Sequence, residues 1–314
     1  MSSRDAAERA ISIVKDSAEF APTLAVWLLD TSPSAISWAG DIHETIREFY
    51  SQSPWQQDAD ADEARLMTAV VTFGRAVDFV VEPTANSEQV VKAIDDVRLD
   101  DSGQEVTFAA MKQALDKYLP VRKRERREVV LIVVSDEAGD DWEMVDELIE
   151  IPRKYAIPVY AIGVPAPFGR VAALDDSVES GKEPSEKTDG GHILQGPESR
   201  GLERIRLKFA GYNNDFELMD SGFGPFGLER ICRASGGAFL AARGYSSRGF
   251  GVRRMNWPTG STLHFEPDVL RRYLPDQVDK AGYEALVQEN AARRALRQAA
   301  QMGEVEILQS PQLH

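Results

Sequence analysis

Cysteine is almost missing from this 314-residue sequence: Cys232 stands alone. That excludes an intrachain disulfide and any zinc site built on several thiolates. Positive charge is scarce as well, with 36 Lys and Arg against 51 Asp and Glu, a net charge of −15. Duplex nucleic acid is therefore not the expected partner, because phosphate contact needs a cationic face. No apolar run approaches the ~18 residues of a membrane span. The opening Met1-Ser-Ser-Arg-Asp-Ala-Ala-Glu8 lacks the basic-then-apolar pattern of a secretion leader. The expectation is a soluble chain, cytoplasmic if Met1 is the native start. Histidine numbers four, and none is placed by the pattern beside the acids discussed below. Nucleophilic catalysis of the Ser–His–Asp kind has little support on that ground.

What the sequence does contain is enough apolar residue, 43%, for a sizeable core. The length predicts two domains or one enlarged one. Residues 1–20 read as an amphipathic helix with Ala10, Ile11, Val14 and Ala18 on one face. Leu24–Leu29, Val129–Val134 and Val159–Val164 are short runs apolar on both faces, as in strands buried inside a sheet. Leu66–Phe73 and Val77–Val81 flank Gly74-Arg75-Ala76 and read as a hairpin. Helical periodicity covers Ile36–Tyr50, Asn86–Val97, Phe108–Leu119 (stopped by Pro120), Trp142–Tyr155 and Leu228–Ala234, and a last short strand spans Ala238–Ala242. The alternation predicts an α/β, doubly wound, mostly parallel sheet flanked by helices. The expected organisation is an N-terminal helix at 1–20, a main domain at 21–244 with an insertion at 165–225, and a partly helical extension at 245–314. A strand is expected near Leu202–Phe209, and helices at Asp268–Tyr273 and Tyr283–Ala300. Residues 243–314 hold ten basic and eight acidic residues, so the first 242 carry −17.

The informative motif is Asp30-Thr31-Ser32-Pro33-Ser34, an Asp-x-Ser-x-Ser between a buried strand and a helix. Asp136, in Ser135-Asp136-Glu137, follows another buried strand. Between them lies Asp100-Asp101-Ser102-Gly103-Gln104-Glu105-Val106-Thr107, leading into a helix. In open parallel sheets, ligands gather beyond the carboxyl ends of the strands. Ser32 and Ser34 are two residues apart on one loop, so both hydroxyls can meet one hard cation. The competing role for either serine is to cap the following helix.

This three-segment combination resembles a von Willebrand factor type A domain with its metal-ion-dependent adhesion site, over roughly residues 21–244. Ala234-Ser-Gly-Gly-Ala238 is similar to the family's usual ending. The resemblance implies a Rossmann-like fold and a non-enzymatic protein-binding role. It also implies a Mg²⁺ or Mn²⁺ site formed by Asp30, Ser32, Ser34, a loop residue and Asp136, and a partner that presents an acidic residue. Hard oxygen ligands suit Mg²⁺, which keeps waters readily. The family's loop ligand is a threonine three residues ahead of the residue that opens the helix. That register puts Glu105 in the slot, and a shift of two puts Thr107 there. Glu105 would add negative charge and weaken the ion's appetite for a partner's carboxylate. Glu137 is expected to be solvated at the rim.

Three other patterns lack an element that their chemistry requires. Gly222-Phe-Gly-Pro-Phe-Gly227 matches G-x-G-x-x-G ahead of a helix, with Arg243 beyond, but no buried strand precedes it, as an NADP site requires. His43-Glu44 has Arg47 where a zinc-protease helix needs His. Asp58, Asp60 and Asp62 lack the Gly and Glu of a calcium loop. Alternatives to the binding module are a metal-dependent hydrolase using Asp30, Glu105, Asp136 and Glu137, an NADP-binding enzyme, or a purely structural scaffold. Within the extension, Arg243, Arg248, Arg253, Arg254, Arg271 and Arg272, with Trp257 and Phe265, are expected to dock on the acidic body.

Overall fold

Strand β1 (Thr23–Asp30) is buried at every position, which explains why its sequence is apolar on both faces. Leu24, Val26 and Leu28 enter one core cluster, while Ala25, Trp27 and Leu29 enter the other. The computed structural model that gives this picture describes residues 1–52, 64–165, 167–168, 219–220, 223–242 and 278–303. Beside β1 lie β2 (Leu66–Phe73) and β4 (Glu128–Val134), both parallel to it, with Asp30 opposite Phe73 and Leu29 opposite Val134. β3 (Val77–Thr84) turns back antiparallel on β2, and β5 (Val159–Gly163) and β8 (Phe239–Ala241) extend the other side in parallel. The order is β3-β2-β1-β4-β5-β8. The expected doubly wound, mostly parallel sheet is the one found.

Helices cover both faces. On one side α1 (Ser3–Phe20) buries Ala10, Ile11, Val14 and Ala18, alongside α3 (Gly40–Ser51) and α4 (Ser87–Asp95). On the other side lies α5 (Thr107–Pro120), with Val145 and Leu148 of the short α6 (Val145–Leu148) and Leu228, Ile231 and Cys232 of α8 (Phe226–Ser235). Cys232 is wholly buried, and burial pushes its thiol up in pKa, so it serves packing. Trp27 Nε1 donates to Tyr50 Oη at 2.8 Å, satisfying a polar tip inside the core.

Four helices depart from the expected outlines. Ile36–Tyr50 is two helices, α2 (Pro33–Trp38) and α3, parted at Ala39 ahead of Gly40, a residue that weakens helix continuity. Trp142–Tyr155 is broken into a 3₁₀ turn at Trp142–Met144, α6, and α7 (Glu150–Tyr155), whose Pro152 has no N–H to give. α5 does end at Pro120, but the chain winds on through a wide π turn, Val121–Glu125, that ends at Arg126 with φ 56°. The helix expected at 283–300 is α9 (Lys280–Glu289) and α10 (Ala291–Gly303). Asn290 parts them, its side chain accepting from the Ala292 and Arg293 amides as an N-cap.

The chain divides into one unit, Met1–Ala166 with Ser221–Val252, and a second, Pro167–Asp220 with Arg253–His314. In the second, β6 (Pro167–Phe168) pairs antiparallel with β7 (Met219–Asp220), and α9 and α10 follow. The strand expected near 202–209, the helix at 268–273 and the arginine-rich stretch 243–272 lie outside the described residues. No described helix is long and apolar enough to cross a membrane.

Candidate metal centre

The strand order reverses between β1 and β4, and the loops leaving their carboxyl ends diverge there. Such a crevice is where α/β sheets gather ligands. Asp30, the last residue of β1, is 1% exposed. Its Oδ1 accepts from the Ser32 amide at 2.8 Å and its Oδ2 from Ser135 Oγ at 2.7 Å, so β4's end holds the side chain that β1 delivers. Ser32 Oγ and Ser34 Oγ lie 3.3 Å apart, and Ser34 Oγ donates to Asp136 Oδ1 at 3.3 Å. Ser32 does cap α2, but over a long 3.3 Å bond from the Ala35 amide. A cap uses one lone pair of the hydroxyl and leaves another for the site.

The third segment is fastened from several sides. Asp100 donates its amide to Thr31 O (2.8 Å) and accepts from the Arg75 and Ser102 amides, while Val106 N reaches Gly74 O at 3.1 Å. Gly74 is required because a Cβ there would fall 2.5 Å from Asp100 Oδ2. Glu105 ends up 6% exposed, and its Oε2 is buried with no hydrogen-bond partner. Thr107 is fully buried and its Oγ1 is likewise unpartnered, but that side chain lies against Gly139. Glu105 instead feels the charges of Asp30, Glu137 and Asp136, which add to burial in raising its pKa. Glu137 is half-buried, its amide donating to Ser135 Oγ at 3.2 Å, and not solvated at the rim as expected.

The electrostatics are those of crowded acids short of a counter-ion. Burial, then repulsion from Asp30 and Glu137, pushes the Asp136 carboxyl up to about 7. Burial raises Asp30, opposed by the bonds from Ser135 and Ser32. Burial first, and then its acidic neighbours, holds Glu105 well above the usual carboxylate range. Among the described residues none of the four acids pairs with a Lys or Arg. Buried charge without a partner is costly, and a divalent cation would relieve it. No group of three or more His, Cys, Asp and Glu among the described residues has the arrangement of a metal cage. A cation here has to use the serine hydroxyls too, which is a donor set of hard oxygens suited to Mg²⁺ or Mn²⁺. The orphaned Glu105 Oε2 fits such an ion.

Sequence reasoning passed over Ser135, Asp140 and Asp141. Asp140 Oδ2 accepts from the Glu105 amide (3.0 Å), and Asp141 accepts from Phe108 N (3.0 Å) and Ala109 N (2.7 Å), capping α5 from another loop. The Asp-Asp pair reads as ordinary loop polarity, and only the fold brings it to α5. The glycine-rich stretch has a packing explanation. A Cβ on Gly224 would strike the Phe239 ring, and one on Gly227 would come 2.5 Å from Phe108.

The family model of the von Willebrand factor type A domain matches residues 26–204. No curated protein matches the sequence. Among solved structures, manganese-loaded TRAP protein of Plasmodium vivax is similar at 16% identity and a TM-score of 0.36, over 45% of this chain and 56% of its own. An aerotolerance-related membrane protein from Bacteroides fragilis is similar at 13% identity and 0.39, over 70% and 91%. Proximal thread matrix protein 1 of the mussel byssus, with a zinc-occupied MIDAS motif, is similar at 18% and 0.35, over 46% and 36%. This chain thus spans little more than half of the TRAP chain it matches.

Proposed function

The chain belongs to the von Willebrand factor type A domain family, and we propose that it is a non-enzymatic, cation-dependent protein-binding module. Ser32 and Ser34 hold a Mg²⁺ or Mn²⁺ ion through their hydroxyls. Asp30 and Asp136 supply negative charge, and Glu105 or Thr107 completes the set from the third loop. When bound, the ion offers an electrophilic point that takes an oxygen from an acidic residue of a partner protein. Ser135 keeps Asp30 oriented, and Asp100 keeps the third loop closed on β1's end. The observation that carries this reading is the facing pair of serine hydroxyls between a buried Asp30 and a half-buried Asp136, neither of them paired with a cationic side chain among the described residues. The NADP-binding alternative at residues 222–227 loses support because Gly224 lies against the Phe239 ring and Gly227 against Phe108, so these glycines serve packing.

Thermal melting with and without millimolar Mg²⁺ or Mn²⁺ tests the ion directly, since a ligand of the native state alone raises Tm. A rise of several degrees is expected with either ion. An unchanged melt with both, together with no heat of binding by calorimetry, overturns the reading.

A further inference from the structure

The loop after β4 does more than deliver Asp136. Four contacts join it to the start of α5: Glu105 N to Asp140 Oδ2 (3.0 Å), Asp140 N to Glu105 O (2.9 Å), and Phe108 N and Ala109 N to the two Asp141 oxygens (3.0 and 2.7 Å). Gly139 lets the two segments approach. Its φ is +81°, and a Cβ there would sit 2.9 Å from Thr107 Cβ and Oγ1 and 3.2 Å from the Phe108 ring.

These contacts fix which way the third loop faces. Helix α5 has no side-chain cap of its own at Val106. Its open amides are met by Asp141, a negative group at the positive end of a helix, which is a favourable placement. With α5's first turn pinned through Phe108 and Ala109, the chain just before it has one course, because Glu105 is gripped at both N–H and C=O by Asp140. The Thr107 side chain faces Gly139, its Oγ1 buried and unpartnered. The Glu105 carboxyl is left beside Asp30, Asp136 and Glu137, with Oε2 buried and unpartnered.

We propose that Asp141, together with Asp140, is a positioning residue that holds Glu105, and not Thr107, in the cation site. This inference rests on the proposed metal site. It also says that the site's third loop contributes a charged group, set in place from the neighbouring loop. Outer residues that orient metal ligands typically change affinity by about 10–100-fold when removed, and Asp141 belongs in that range.

The test is Mn²⁺ binding to the full chain, followed by electron paramagnetic resonance of the free ion, on a double-mutant cycle. Asp141→Ala should weaken Mn²⁺ about tenfold or more. Asp141→Asn keeps one acceptor oxygen and should recover part of that loss. In a Glu105→Ala background, Asp141→Ala should change the affinity less than about twofold, because the residue through which it acts is gone. Additive losses in the two backgrounds, or an Asp141→Ala chain that unfolds sooner yet binds Mn²⁺ as before, would overturn the proposal. If the wild-type chain binds no Mn²⁺, the functional reading fails, and the inference is judged by amide hydrogen exchange. Asp141→Ala should then speed exchange at Phe108, Ala109 and, by release of the loop, Glu105. A Glu105 amide that stays protected sinks it.

Discussion

At the scale of single residues, Asp30 shows how a group can weaken the fold it belongs to. It is buried, raised in pKa, and surrounded by acids. Asp30→Asn retains an oxygen for the Ser32 amide while deleting the charge. The metal-free protein should therefore melt higher than wild type, and the Mg²⁺-dependent rise should vanish. Paired scanning calorimetry runs check both signs. The loop residue can be read in the same way: Glu105→Gln should weaken Mn²⁺ binding markedly and Thr107→Ala little, with the reverse order assigning Thr107. The pH dependence follows from Asp136. An acid whose folded pKa is raised from 3.8 to about 7 holds its proton longer in the folded state than in the unfolded chain. Its contribution to stability is present below pH ~4 and is lost as pH rises to 7. The ion competes with that proton, so the Tm gain from Mg²⁺ should be small at pH 5 and grow towards pH 7.5. Melts across that range with and without Mg²⁺ measure it, and a gain that shrinks with rising pH contradicts it.

Among the elements, the strands were legible because burial on both faces leaves no polar positions, and the runs at 24–29 and 129–134 match β1 and β4 within a residue or two. Helix breaks were not legible. The split at Asn290 turns on a side-chain cap, and the break ahead of Pro152 on a missing N–H, neither of which periodicity carries. Asp30, Ser32, Ser34 and Asp136 could be picked out because they sit on short loops at strand ends. Asp140 and Asp141 could not, since their partners are more than 30 residues away in the chain. Gly237, directly after the αL cap at Gly236, tests the join between α8 and β8. A Cβ there would run into the Val159 carbonyl, which is backbone and cannot swing aside. Gly237→Ala should cost roughly 2 kcal/mol or more, among the larger effects of single substitutions, and urea denaturation would read it. A loss below about 0.5 kcal/mol would mean the strand shifts freely.

At the scale of the molecule, acids crowd the carboxyl ends of the first unit's strands, with Arg75 beside Asp100 there, while the opposite ends expose both signs, Glu125 among them. Asp100, Asp101, Glu105, Asp136, Glu137, Asp140 and Asp141 gather in the loops around the carboxyl ends of the strands. Arg65, Lys123, Arg124, Arg126 and Lys154 are exposed near the opposite ends, where Arg127 Nη1 reaches Ala64 O and Lys123 lies over Tyr155. Such a field concentrates cations at the acidic end and is screened within about 10 Å at 0.1 M salt. Mn²⁺ affinity should therefore fall several-fold between roughly 20 and 200 mM NaCl, as a titration series would show. The sheet's two borders carry a different consequence. β8 is three residues long, while β3 pairs with β2 through register shifts and turns Asp78 and Glu82 outward beside Val80. Short, bulged and charged borders refuse further strands. For the binding role proposed above, such borders would leave recognition to side chains at the loop end, which can be selective as an open hydrogen-bonding edge cannot.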